Sequence, residues 1–143
     1  MIALPGGYRL SLDGQDADPG AAHAYLTRSY WSPGIPLETV RRAIAGSICA
    51  TVHNQAGQVG MARIISDRAT FAYLADVYVL EAHQGRGLAQ AMLAAVHDHP
   101  DLQGLRRWML FTRDAHSLYA RFGWAGLNHP ERAMLLDNPG VYQ

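Results

Sequence analysis

Apolar positions along the chain fall into runs whose spacing separates strands from helices. Phe71 to Leu80 is aromatic, aliphatic or β-branched except for Asp76, the pattern of a central strand buried on both faces. Ile48 to His53 and Val59 to Ser66 are similar runs joined by Asn54-Gln55-Ala56-Gly57-Gln58, a connection of hairpin length with a glycine in it, so they predict an antiparallel pair. Tyr8 to Leu12 predicts a short first strand. Helical spacing takes over at Gly20 to Tyr30 and at Leu37 to Ala45, where Leu37, Val40 and Ile44 share one side and Gly46 stops the run. Between these helices Trp31-Ser32-Pro33-Gly34-Ile35-Pro36 predicts a loop, since proline lacks the amide a helix needs. Leu88, Met92, Ala95 and Val96 mark a third helix, Leu88 to His97, closed by Pro100. Trp108 to Thr112 predicts a strand parallel to Phe71 to Leu80, reached by a right-handed crossover. Asp114 to Phe122 predicts a short helix ended by Gly123, and Trp124 to Asp137 one or two last strands around Asn128-His129-Pro130.

The order is that of a mixed α/β sheet. A length of 143 residues suits one domain, 1–143, with a core that needs no staples. Twelve basic residues against twelve acidic ones leave no net field toward nucleic acid or an anionic membrane, and no segment has the ~20 apolar residues of a bilayer span. The expectation is a cytoplasmic protein without nucleic-acid or membrane partners. Cys49 is the only cysteine, which excludes an internal disulfide and predicts a residue packed in the core. Nothing around it lowers a thiol pKa, so it is not expected to carry an acyl group. His53, His83, His97, His99 and His116 share no face with carboxylates at metal-ligand spacing, and no metal is expected.

The strongest chemical signal lies between the longest strand and the most regular helix, in Glu81-Ala82-His83-Gln84-Gly85-Arg86-Gly87-Leu88-Ala89. The first amides of a helix have no internal partner and the helix dipole is positive there. Gly85 and Gly87 let the backbone approach an anion without an intervening side chain. The turn therefore fits a phosphate. Gln90 occupies the third glycine position of a dinucleotide fingerprint, and the lysine of a Walker A loop is absent, so the ligand is of another kind.

Val77-Tyr78-Val79 followed by Gln84-x-x-Gly87-x-Ala89 resembles the acetyl-CoA signature of the GNAT acyltransferase superfamily. Ala115, Leu118, Tyr119, Phe122, Gly123 and Trp124 resemble the family's second segment, Ala-x-x-Leu-Tyr-x-x-x-Gly-Phe. The resemblance runs from about Tyr8 to Asp137. Gln84 stands for the commoner arginine, Ala89 for the final glycine, and Thr112 for a frequent asparagine, which leaves the cofactor's amide contacts open at Thr112. The family implies a GNAT-like, mostly antiparallel sheet of about six or seven strands flanked by about four helices, with a splayed parallel strand pair at the acyl-CoA site. It implies acetyl-CoA as cosubstrate, its diphosphate on Gln84, Gly85, Arg86, Gly87, Leu88 and Ala89 and its pantetheine along Val77, Tyr78 and Val79. A backbone amide near Tyr78 or Val79 would polarise the thioester oxygen.

Tyr119 matches the family position that protonates the departing sulfur, a task suited to a phenol that stays protonated at neutral pH. Asp76, the one ionisable group in its strand, is expected either as the base that receives the amine's proton or as a structural acceptor; Glu81, at the strand end, is the reserve base. Proteins of this appearance place the segment between the first two helices over the acetyl group, so Tyr30 and Trp31 are expected as walls of an acceptor site. His116 is expected near the thiol channel. The expected reaction is direct transfer to a primary amine of a small molecule. A protein lysine or N-terminus, and a silent acyl-CoA-binding module, are the alternatives, and a homodimer is common among such proteins.

Overall fold

The computed structural model describes residues 1–143. Six strands form one sheet in sequential order: β1 (Ile2–Leu4), β2 (Tyr8–Ser11), β3 (Ile48–Asn54), β4 (Gly57–Ser66), β5 (Phe71–Val79) and β6 (Arg107–Met109). All neighbours are antiparallel except β5 and β6, which run parallel, as the crossover through a helix requires. Four helices accompany the sheet: α1 (Pro19–Leu26), α2 (Leu37–Ala45), α3 (Leu88–His97) and α4 (His116–Ala120).

Period-two alternation sorts the strands between two cores. Ile48, Ala50 and Val52 join Met92, Leu93 and Val96 of α3 on one face, together with Tyr119. Cys49, Met61 and Tyr78 meet Leu26 of α1 and Val40 and Ile44 of α2 on the other. A sheet covered on both faces explains why β3 reads as an unbroken apolar run.

Three expectations about elements need correction. Trp124 to Asp137 holds no strand; it carries only a turn of 3-10 helix at Pro130–Arg132, and Met134, Leu135 and Leu136 are exposed. The strand that completes the six is β1, paired with β2 across a turn in which Gly6 and Gly7 both take positive φ. The first helix ends at Leu26 instead of Tyr30. Ser29 Oγ donates to the Leu26 carbonyl at 2.7 Å and the Gly34 amide bonds back to Thr27 O at 2.8 Å, so the chain folds over on itself. The strand read as Trp108 to Thr112 is Arg107–Met109, which leaves Leu110 to Thr112 free of the sheet.

Candidate active site

Two departures from regular pairing open the sheet. Pairing of β5 with β6 stops at Tyr73↔Met109, although β5 continues to Val79, so the two parallel strands splay and one edge of β5 has no partner strand from Leu74 onward. On its other edge, Arg63 opposes Ala75 and Met61 opposes Tyr78. Asp76 and Val77 thus share the single position opposite Ala62, a β-bulge. Asp76 sits there at φ 50°, a left-handed conformation that aspartate tolerates better than most residues.

Beyond β5 the chain makes a 3-10 turn, Glu81–His83, anchored by the Tyr8 hydroxyl bonded to His83 Nδ1 at 2.7 Å. Gln84 Nε2 donates back to the Val79 carbonyl at 3.0 Å and fixes the entry to the glycine turn. Gly85 and Gly87 take φ of 78° and 75°, and a Cβ added at either would meet nothing within 4 Å. Gly87 is the N-cap of α3 and brings no capping side chain. The amides of Gly85 through Gln90 donate to no acceptor in the chain, since the first bond of the helix is Ala91 N to Gly87 O. Six consecutive unpartnered amides at an exposed helix start fit a diphosphate.

The splay and the turn open into one cavity of about 1230 Å³. Its wall includes Val77, Tyr78, Val79, Gln84, Gly85, Gly87, Leu88 and Ala89 from the proposed cofactor side, and Tyr30, Trp31, Asp76 and Tyr119 from the reacting end. Arg86 is exposed and off this wall; Glu81, the reserve base, is likewise exposed and outside it. His116 lines a smaller cavity of about 390 Å³ that shares Phe111, Thr112 and Tyr119 with the larger one. Thr112 Oγ1 accepts from the Ala115 amide at 3.1 Å and so shapes the entry to α4.

The loop after α1 is strapped across the cavity at two points. Trp31 Nε1 donates to Asp76 Oδ1 at 2.8 Å, and the Tyr30 hydroxyl accepts from the Arg113 amide at 3.1 Å. The second carboxylate oxygen of Asp76 accepts from Arg63 Nε at 2.7 Å, and Arg63 Nη1 donates to Ser47 Oγ at 3.0 Å. Arg63 was not singled out in the sequence, yet the signal was present: one arginine in β4 and one aspartate in β5, each alone in an apolar strand, are apt to meet. Tyr25, whose ring stacks on Tyr78 at 4.3 Å, was missed as well.

Burial shapes the titration of the site. It pushes the Tyr119 phenol up to about 12, with the neighbouring Tyr30 adding to the effect. Tyr78 also rises to about 12 by burial, partly opposed by the bond its hydroxyl accepts from Gln58 Nε2 at 3.0 Å. The buried Cys49 thiol moves to about 11, again through burial, with Arg63 pulling the other way. A thiol held that high is not a nucleophile at neutral pH.

Comparison with known proteins agrees with this geometry. The profile of the acetyltransferase (GNAT) domain family matches residues 45–125, from the end of α2 to just past α4. A protein of Gibberella zeae assigned as an acetyltransferase is 32% identical over 139 residues, covering 81% of this chain and 77% of its own. A crystal structure from Xanthomonas campestris pv. campestris, assigned to the GNAT family, superposes with a TM-score of 0.91 at 47% identity and covers 94% of this chain and 96% of its own. A structure from Deinococcus radiodurans, assigned as an acetyltransferase, shares the fold with a TM-score of 0.74 at 19% identity, covering 99% of this chain and 93% of its own. A splayed β5–β6 pair, an uncapped glycine turn opening α3 and a family profile over more than half the sequence coincide, and the chain belongs to the GNAT family of acyl-CoA-dependent acetyltransferases.

Proposed function

We propose that this chain, acting as one domain over 1–143, moves an acetyl group from acetyl-CoA directly to a primary amine of a small molecule. The observation that carries the reading is the continuous cavity that joins the glycine turn to Tyr119 and is strapped over at its far end by Tyr30 and Trp31. An acceptor site walled by aromatic side chains favours a small amine over an extended peptide. The high, buried position of the Cys49 thiol supports direct transfer over an acyl-enzyme.

Acetyl-CoA supplies the activated thioester. The amides of Gly85 to Gln90 hold its diphosphate, with the Gln84 side chain fixing the turn, and the unpaired edge of β5 at Val77, Tyr78 and Val79 meets its pantetheine. The Tyr119 hydroxyl donates a proton to the sulfur as that atom leaves with the C–S electron pair. The amine nitrogen bonds the carbonyl carbon and sheds its proton to solvent water, and Tyr119, left as the phenolate, regains a proton from solvent, which closes the exchange. Of the two roles weighed for Asp76, its hydrogen bonds favour the acceptor: both oxygens are already committed, to Trp31 and to Arg63. The neutral amine is then drawn from solution, and Asp76 holds the strap in place.

The deciding experiment incubates the protein with acetyl-CoA and a pooled library of primary amines while following free thiol, with mass spectrometry of the products. Acetylated small amines are the expected result. Binding of acetyl-CoA by calorimetry without thiol release for any amine would leave a silent binding module, and acetylation confined to peptides would replace the acceptor class.

A further inference from the structure

A row of aromatic side chains borders the acceptor end, with Tyr30 and Trp31 partly open to solvent, and a guanidinium stands at each end of it. Tyr25 and Trp31 have ring centroids 6.1 Å apart, and Trp31 and Tyr30 5.0 Å. Arg28 lies over Tyr25 with its Cζ 5.0 Å from the ring centroid, and Arg113 over Tyr30 at 4.0 Å. Both arginines line the cavity.

The charges facing that cavity do not balance. Arg63 and Asp76 cancel each other as a close, largely buried pair. Asp114 meets Arg113 through one contact at 3.3 Å with both side chains 65% exposed, a pair of little worth in water. Arg28 has no carboxylate partner. Its Nε donates to the Ala24 carbonyl at 3.2 Å, which orients the group and leaves the terminal nitrogens uncommitted. Each oxygen of the site's one largely buried carboxylate already has a partner and its charge is met by Arg63, so it is a poor seat for a second ammonium, whereas the guanidinium fork of Arg28 is on offer. Such a fork matches a carboxylate or a phosphate.

The phosphates of the cosubstrate are an unsuitable target for these arginines. Arg28 and Arg113 flank Trp31, whose indole is bonded to Asp76, three residues before the end of β5 and about 10 Å from Val79 at the usual strand rise. The unpartnered amides of the glycine turn lie beyond that end.

Resting on the acetyltransferase reading above, we propose that the acceptor is a small primary amine that also carries an anionic group, a carboxylate or a phosphate, and that Arg28 and Arg113 are the residues that select it. Polyamines and other acceptors with a second cation are disfavoured by the same surplus charge.

Matched acceptors test this: an amino acid against its carboxamide, an amino-alcohol phosphate against the parent amino alcohol, and a linear polyamine, each by kcat/KM referred to the concentration of neutral amine. The anionic member is expected to win by about tenfold or more, the worth of a charge-assisted hydrogen bond. Arg28→Gln and Arg113→Gln should each pull that ratio toward one by raising the acceptor KM, while the KM for acetyl-CoA stays put. Arg28→Lys, which keeps the charge and loses the fork, should recover part of the ratio. Equal or better use of the neutral amines or the polyamine overturns the inference and leaves the acetyltransferase reading standing. A rise in the KM for acetyl-CoA with the acceptor ratio unmoved overturns it too, by moving both arginines to the cosubstrate. Absence of thiol release with every amine overturns the activity itself, and this inference with it.

Discussion

Tyr119 is only 8% exposed, but its hydroxyl is bonded to no group of the chain and the residue lines both cavities. Every fully buried polar side-chain atom of the chain has a partner, so this unbonded hydroxyl reaches the cavity, where it is free to bond a substrate atom. With its pKa pushed up to about 12, it remains protonated across the whole working range, a condition for donating to a departing sulfur. Tyr119→Phe should lower kcat by about 10²- to 10⁴-fold and leave acetyl-CoA affinity nearly unchanged by calorimetry. The pH profile should be one-sided. Since the neutral amine is taken from solution, kcat/KM should climb tenfold per pH unit until the acceptor's own pKa. Tyr119, ionising only near 12, should add no falling limb below that. A bell with a descending limb near pH 9 would place another acid at the sulfur. Tyr119 was legible in the sequence because its helix has a fixed spacing from Ala115 and Gly123; its lack of a hydrogen-bond partner was not, nor was the approach of Tyr30 from a loop far away in the chain.

Strand β5 carries most of the site because of one extra residue. The bulge at Asp76 and Val77 turns the strand where its pairing with β6 has already ended, and the Asp76 carboxylate then links Trp31, Arg63 and, through Arg63, Ser47. Two substitutions separate a base from a positioning residue. Asp76→Asn keeps an acceptor for the indole and tolerates the left-handed φ, so kcat should fall by no more than several-fold if the group only positions, against about 10²-fold or more for a lost base. Asp76→Ala leaves the largely buried Arg63 guanidinium without its counter-charge, and urea unfolding should show a loss on the order of 3 kcal/mol. Strands β3, β4 and β5 and helix α3 were readable because long runs of one period leave little choice of state. The shorter elements were not. The β1–β2 hairpin has its signal in Gly6-Gly7 between Ile2-Ala3-Leu4 and Tyr8-Arg9-Leu10, a pattern easily passed over at three residues per strand. Met134-Leu135-Leu136 has the composition of a strand yet pairs with no strand, although β6 leaves the outer side of the sheet open. Composition predicts what a segment could pair with, and pairing itself is decided elsewhere.

At the scale of the molecule, the proposed acceptor end is assembled from segments far apart in sequence that line one cavity: the loop after α1, the bulge of β5, the stretch after β6 and the region of Tyr142. No single stretch announces it, which is why the sequence offers a motif for the proposed cofactor side and only two aromatic residues in a loop for the proposed acceptor side. Tyr142 is half-buried against the smaller core and lines the cavity, and its carbonyl lies 3.0 Å from where a Cβ on Gly34 would stand. Gly34 has φ of 80°, so a side chain there would be strained in its backbone as well as crowded against Tyr142. The loop that bears Tyr30 and Trp31 is therefore held from outside by Tyr142 and from inside by Asp76. Tyr142→Ala keeps the carbonyl beside Gly34 but removes the ring that packs this segment against the smaller core, costing about 1–2 kcal/mol. Its kinetic effect should be asymmetric: a several-fold rise in acceptor KM, with the KM for acetyl-CoA unchanged because the unpartnered amides of the glycine turn are set by the start of α3 and not by the loop. Gly34→Ala should reproduce the same asymmetry by a different route, pushing the two segments apart instead of removing the Tyr142 ring. If both variants instead shift the two KM values in parallel, the loop and the cofactor cradle form one mechanical unit, and the division of the cavity into two independent ends is wrong.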